Sequence, residues 1–97
     1  MALKIKWTPE AKSEYNDILD YLHNKWPLKE VQAFAKKTEQ VLSLISITPE
    51  MYPLSKRRNT RKCVLVKQVN LYYRIGEHEI ELLSFWSNYK DPKKLKH

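Results

Sequence analysis

The chain is short of cysteine, glycine, long apolar runs and, over one stretch, acid. Cys63 is the only cysteine in 97 residues. It excludes an internal disulfide and a cysteine-rich zinc site, and it fits a reducing compartment. One glycine against five prolines excludes a flexible or low-complexity chain. No apolar run approaches the roughly 18 residues that span a bilayer. The N-terminus MALKIKWTPEAK turns polar too soon for a signal peptide. A cytoplasmic protein without membrane attachment is the expectation. A chain of this length encloses one core, so residues 1–97 read as a single domain.

The missing acid is local. Residues 51–76 hold seven Lys or Arg and no Asp or Glu, whereas residues 1–50 hold seven of each sign. Residues 77–89 carry three Glu and no Lys or Arg, and residues 90–97 carry four Lys against Asp91. The net charge of +7 therefore sits on one middle segment and the tail. Such asymmetry points to an acidic partner, a nucleic acid or an acidic protein segment. The plainer alternative is a solvated basic face that aids solubility.

What is present reads in order. LKIKW (Leu3–Trp7) alternates as a short strand. TPE opens a helix: Thr8 supplies a cap oxygen, Pro9 suits the first helical position and Glu10 suits the positive dipole end. Ala11, Tyr15, Ile18, Leu22 and Trp26 then form one apolar stripe. Pro27 breaks the run and opens a second helix. Its stripe is Val31, Phe34, Thr38, Val41 and Ile45, widened by Leu42 and Leu44, and Pro49 and Pro53 stop it. Two stripes on a short link predict a helical hairpin. KCVLVKQV, LYYRI and EIELLSFW are rich in β-branched and aromatic residues and predict three strands. GEHE supplies one hairpin turn, and a second is expected near Gln68–Asn70.

The fold class is therefore α+β, in the order β-α-α-β-β-β, with the hairpin covering one face of an antiparallel three-strand meander. Strict alternation sets Val64 and Val66 opposite Cys63 and Leu65, and Ile80 and Leu82 opposite Leu83 and Phe85. Both sheet faces then read as apolar. The second face is expected to be covered by the tail or open to a partner.

This order of motifs resembles the RelE/ParE toxin superfamily of bacterial type II toxin–antitoxin systems. TPEAKSEYNDILDYLHNKW is similar to the family's first helix, PLSKRRNTRKCVLVKQVNLYYRI to its basic strand pair, and EIELLSFWSNYKDPKKL to its last strand and tail. The resemblance covers nearly the whole chain. It implies a cytoplasmic growth inhibitor held silent by an antitoxin, whose acidic, partly disordered C-terminal segment folds on binding. That segment would give the acid-free strands their use.

The superfamily has two arms. One cleaves messenger RNA on the ribosome, moving the ribose 2′-OH onto the adjacent phosphate with a base, an acid and cations but no metal. The other blocks DNA gyrase by binding. For antitoxin or nucleic-acid contact the candidates are Lys56, Arg57, Arg58, Arg61, Lys62 and Lys90. For cleavage, the resemblance implies Tyr89 as acid–base and Arg74 as phosphate clamp. Alternation puts Arg74 beside Tyr72 and opposite Tyr73. Tyr89 also reads as an aromatic that packs on the tail, and it stands where the family more often has an arginine. The remaining candidates read blandly. His23, His78 and His97 have no metal-ligand spacing, Cys63 reads as packing, and Trp7, Trp26 and Trp86 read as core or edge. No cofactor or metal is expected. The first helix, HNKW and the Asp-Pro with its lysines look more like the gyrase-directed arm. A third reading keeps only the physics: a small nucleic-acid-binding domain without toxicity.

Overall fold

The computed structural model describes residues 2–57 and 59–88. Arg58, Tyr89, Lys90 and the tail through His97 lie outside the described residues. The order is β1 (Lys4–Trp7), α1 (Pro9–Lys25), α2 (Leu28–Ile47), a 3-10 turn (Pro49–Met51), β2 (Arg61–Val66), β3 (Val69–Ile75) and β4 (Glu79–Ser87). The strands form one sheet in the order β1-β4-β3-β2, with β1 parallel to β4 and the other pairs antiparallel. This is the expected α+β arrangement, with the first strand added to the meander beside the last.

Helix α1 starts as its sequence dictates. Thr8 caps it, its Oγ1 accepting from the Ala11 N–H at 3.2 Å, and Pro9 occupies the first turn. The helix ends at Trp26, whose N–H donates to Leu22 O at 2.8 Å, and Pro27 starts α2 immediately. So short a link forces the two helices to lie side by side. Ala11, Ile18 and Leu22 from α1 and Phe34, Thr38, Val41 and Ile45 from α2 are buried. The Thr38 hydroxyl donates to Phe34 O at 3.0 Å, which satisfies it inside the core. Leu44 was expected to widen the α2 stripe but is half-exposed, because it faces away from the sheet side that Val41 and Ile45 occupy. Trp26 is half-exposed as well, at the tip of the hairpin where its stripe leaves the core.

The helices cover one sheet face. Cys63, Leu65, Val69, Leu71, Tyr73, Ile80, Leu82 and Phe85 pack there against both helices. Trp7 and Phe85 stack with ring centroids 5.3 Å apart, and Tyr15 lies 5.1 Å from Phe85 and 5.8 Å from Phe34. The β2–β3 turn falls at Lys67 and Gln68, one step earlier than expected, and Asn70 belongs to β3. The Gly76 turn closes with Gly76 N–H donating to Glu79 O at 2.8 Å. A Cβ on Gly76 would sit 3.0 Å from that oxygen, so the only glycine stands where a side chain crowds the turn.

Two bulges overturn the expectation of a sheet apolar on both sides. On β4, Ser84 pairs with Tyr72 and Leu82 with Tyr73, so Leu83 is an extra residue without a β3 partner. Past it the alternation is shifted by one, and Phe85 faces the same side as Ile80 and Leu82. On β2, Val64 pairs with Asn70 and Val66 with Val69, which leaves Leu65 as the extra residue. Val66 then shares a hollow with Leu22 and Phe34 on the helix side. Val66 and Phe85 thus join the helix-covered side, while Val64 stays on the other face and is 60% exposed. The opposite face is mixed, with charged and polar residues set among Val64, Tyr72 and Trp86.

Candidate functional site: the outer face of the sheet

The outer face carries Lys4 and Lys6 from β1, Glu79, Glu81, Ser84 and Trp86 from β4, Asn70, Tyr72 and Arg74 from β3, and Lys62 and Val64 from β2. Its two halves differ in charge. On the β1–β4 side, Lys6 Nζ lies 3.9 Å from Glu79 Oε2, and Arg74 forms an ion pair with Glu81 across the β3–β4 ladder. On the β2 side, Lys56, Arg57 and Lys62 make no ion pair with a described acid.

These three cations line a groove. One hollow of about 510 Å³ is bounded by Leu54, Ser55, Lys56, Arg57, Lys62 and Tyr72. A second, of about 270 Å³, continues it past Asn70 and Ser84 to Trp86. Arg57, Lys62 and Tyr72 line both, so they form the shared middle. The Arg57 guanidinium carbon stands 5.7 Å from the Tyr72 ring centroid, within reach of the ring's negative face. Lys62, Tyr72 and Ser84 lie in one cross-strand row. Trp86 is 44% exposed at the far end and offers an aromatic surface. Anionic groups with apolar or aromatic neighbours suit such a lining.

Residues 53–57, 59 and 60 flank the groove and are tied back to β2. Ser55 N–H donates to Thr60 O at 2.7 Å and Lys62 N–H to Pro53 O at 3.0 Å. Leu54 bridges Arg61. Asn59 takes the left-handed conformation at φ 55°, which asparagine tolerates better than most residues. The Arg57 N–H donates to Ser55 Oγ at 3.0 Å and fixes the base of the rim.

Of the sequence candidates, Lys56, Arg57 and Lys62 come together in the groove. Arg61 does not. Its Nη1 donates to Tyr52 O at 2.7 Å and its Nη2 lies 3.8 Å from Glu50 Oε2, so it staples the 3-10 turn to the sheet. Arg74 shares the outer face with Tyr72, as alternation places it, but its charge is met by Glu81. Tyr73 is fully buried and donates to Pro49 O at 2.7 Å. Burial, partly opposed by Arg61, pushes its phenol up to about 12. Burial, with a hydrogen bond to Cys63 second, does the same for Tyr52. Cys63 is fully buried, and burial pushes its thiol up, which leaves it a packing residue. His23 is exposed on α1, and His78 lies 3.5 Å from Glu77 in the turn. Among the described residues no cluster of His, Cys, Asp and Glu is arranged to hold a metal.

Tyr72, Asn70, Ser84 and Trp86 were not among the expected site residues. Trp86 in particular reads as core or edge packing, yet it faces the groove. The signal lay in the polar alternation Asn70–Tyr72–Arg74, which marks an outward row opposite Ser84 and Trp86.

A family model described as "ParE toxin of type II toxin-antitoxin system, parDE" matches residues 5–92. The chain belongs to the ParE toxin family. No curated protein sequence matches it. Among solved structures, this ParE-family chain is similar to one described as the chromosomal ParDE TA system from P. aeruginosa. That likeness has 24% identity and a TM-score of 0.71, and covers 89% of this chain and 96% of that one. It is also similar to the YoeB dimer from Staphylococcus aureus (16% identity, TM-score 0.60, covering 87% and 94%). A chain in the crystal structure of the E. coli DinJ-YafQ toxin-antitoxin complex shares the fold at still lower identity (8%, TM-score 0.61, covering 91% and 94%). At these identities the structural likeness speaks for the fold. The family match makes the ParE-family chain a toxin of a type II toxin–antitoxin module.

Proposed function

We propose that this toxin acts by binding and not by cutting. Its target on this reading is DNA gyrase, and an acidic antitoxin segment silences it by seating in the outer-face groove. The observation that carries the reading is the groove's lining. Three cations without a described acid partner stand beside Tyr72 and Trp86 on an exposed surface. An antitoxin segment alternating carboxylates with apolar side chains meets both features. Attack by a ribose 2′-OH calls for a proton acceptor poised near neutral pH. The groove's described lining holds no carboxylate and no imidazole. Arg74, the expected phosphate clamp, is engaged by Glu81. Tyr89 and Lys90 lie outside the described residues. The site of action on this reading is the cytoplasm. No described helix is long and apolar enough to cross a membrane.

Two experiments test this. In a plasmid supercoiling assay, the purified toxin is expected to inhibit gyrase, and primer extension on ribosome-bound message is expected to show no new 3′ ends. Codon-positioned cuts, abolished in Tyr89→Phe or Arg74→Ala, would replace this reading with a metal-independent endoribonuclease. For the groove, a short dye-labelled peptide of alternating glutamate and leucine is titrated at two ionic strengths. Binding is expected to weaken with salt, since exposed charge is screened. It should also weaken in Lys62→Glu. Affinity indifferent to both would remove the groove as the antitoxin's seat.

A further inference from the structure

The bulge at Leu83 decides what reaches the groove, and α1 holds it. Strand β1 pairs with β4 only as far as Trp7 opposite Leu82. Beyond that point β4 has no neighbour on this side, because the chain turns into α1. Its backbone groups there need other partners. Thr8 supplies the first: its N–H donates to Leu82 O at 3.2 Å and its Oγ1 donates to the same oxygen at 2.7 Å. Glu14, almost two turns further along α1, supplies the second, its Oε1 accepting from the Phe85 N–H at 3.0 Å. This bond joins residues 71 apart in sequence. Glu14 also lines a small hollow with Phe85, Trp86 and Ser87.

The bulge between these two contacts sets the phase of the strand's end. With Leu83 as the extra residue, Ser84 and Trp86 face the groove and Phe85 enters the stack of Trp7 and Tyr15. Without it, alternation would turn Trp86 inward and Phe85 outward. We infer that Glu14 is a positioning residue of the outer-face groove: from the opposite side of the sheet, its carboxylate holds the β4 bulge that turns buried Ser84 toward the groove lining and presents Trp86 to a partner. The functional half of this inference rests on the groove being the antitoxin's seat. The geometric half does not.

The test compares wild type with Glu14→Leu, Glu14→Asp, Glu14→Gln and the control Glu10→Leu. Glu10 is an exposed acid in the same helix's first turn. Glutamine keeps an acceptor oxygen at the same reach, aspartate shortens it, and leucine removes it. Cross-strand NOEs from Asn70 to Trp86 and from Tyr72 to Ser84 report the phase, and the glutamate–leucine peptide reports the groove. Glu14→Leu is expected to lose the Asn70–Trp86 NOEs and about tenfold in peptide affinity. Glu14→Asp is expected to lose part of both, which keeps the test open if the leucine variant does not fold. Glu14→Gln and Glu10→Leu should match wild type. NOEs unchanged in the leucine and aspartate variants overturn the inference. So does peptide affinity unchanged in a variant that has lost the NOEs. If the wild type itself does not bind the peptide, the groove reading falls and the NOEs alone judge the latch.

Discussion

On the inner face of the sheet Cys63, Leu71, Tyr73, Ile80 and Leu82 are fully buried, while across the same strands Lys62, Asn70, Tyr72, Arg74 and Glu81 remain partly or largely exposed. The strands are shared, so backbone pairing does not distinguish the faces. Their side chains do, and the division separates folding from recognition. The outer face divides again. Where Lys6 and Arg74 meet Glu79 and Glu81, its charge is balanced on site. Around Lys56, Arg57 and Lys62 the described residues leave it unbalanced. Positive charge on this face is thus of two kinds, and the groove gathers the second.

The largest effects belong to the inner face. Leu71→Ala or Ile80→Ala should each cost about 2–5 kcal/mol in denaturant unfolding, since a cavity replaces packed atoms. The fraction still folded should bind the acidic peptide as wild type does. A loss of affinity in that fraction would break the division between faces. On the outer face the pattern should invert. Arg57→Glu with Lys62→Glu should lower peptide affinity by at least about tenfold and flatten its salt dependence. Unfolding free energy should stay within about 0.5 kcal/mol, as for other exposed substitutions.

Arg61 sharpens the comparison because it belongs to the basic segment but not to the groove. Arg61→Ala should lose about 1–2 kcal/mol of stability, with the Tyr52 carbonyl left without its donor. Peptide affinity should barely move. A loss of affinity like that of Lys62→Glu would merge the two kinds of charge.

Alkaline titration probes the same inner staple. Tyr52 and Tyr73 have phenols raised from 10.0 to about 12 by burial. The folded state therefore holds these protons more tightly than the unfolded chain. Their contribution to stability is complete below pH 10, falls as pH rises and is gone above about pH 12. The midpoint of urea unfolding should decline across that window, and less steeply in Tyr73→Phe. An equal decline in that variant would assign the loss to other groups.

The smallest effect is expected at the balanced corner of the outer face. Arg74→Ala should change stability by no more than about 1 kcal/mol, as for other exposed ion pairs. It should leave peptide affinity unchanged. A marked loss of affinity would show that the Glu81 pairing opens to a partner.

Much of this was legible before any tertiary contact was known. The Thr8–Pro9 start of α1, the break at Pro27 and the stripes through Ile18, Leu22, Phe34, Val41 and Ile45 depend on short-range chemistry, so the residues state them directly. The acid-free run is equally plain, and Lys56, Arg57 and Lys62 were named from it. The remainder of the groove was not. Tyr72 was noted only as a companion of Arg74, and Trp86 was assigned to packing, because a single extra residue at Leu83 reverses which side each β4 residue takes. Strict alternation contains no sign of that residue.

The sequence by itself determined the order of elements, the helical hairpin and the segment that carries unbalanced charge. Each follows from spacing within one stretch of chain. Only the tertiary structure decided which cations of the basic segment are paired, that the second sheet face mixes charge with Val64, Tyr72 and Trp86, and that Trp86 belongs to the groove. Those outcomes depend on pairings across the fold: Arg61 with Tyr52, Arg74 with Glu81, and Glu14 with the backbone of Phe85. A residue's local pattern sets what it can do, whereas the partner the fold places opposite it sets what it does.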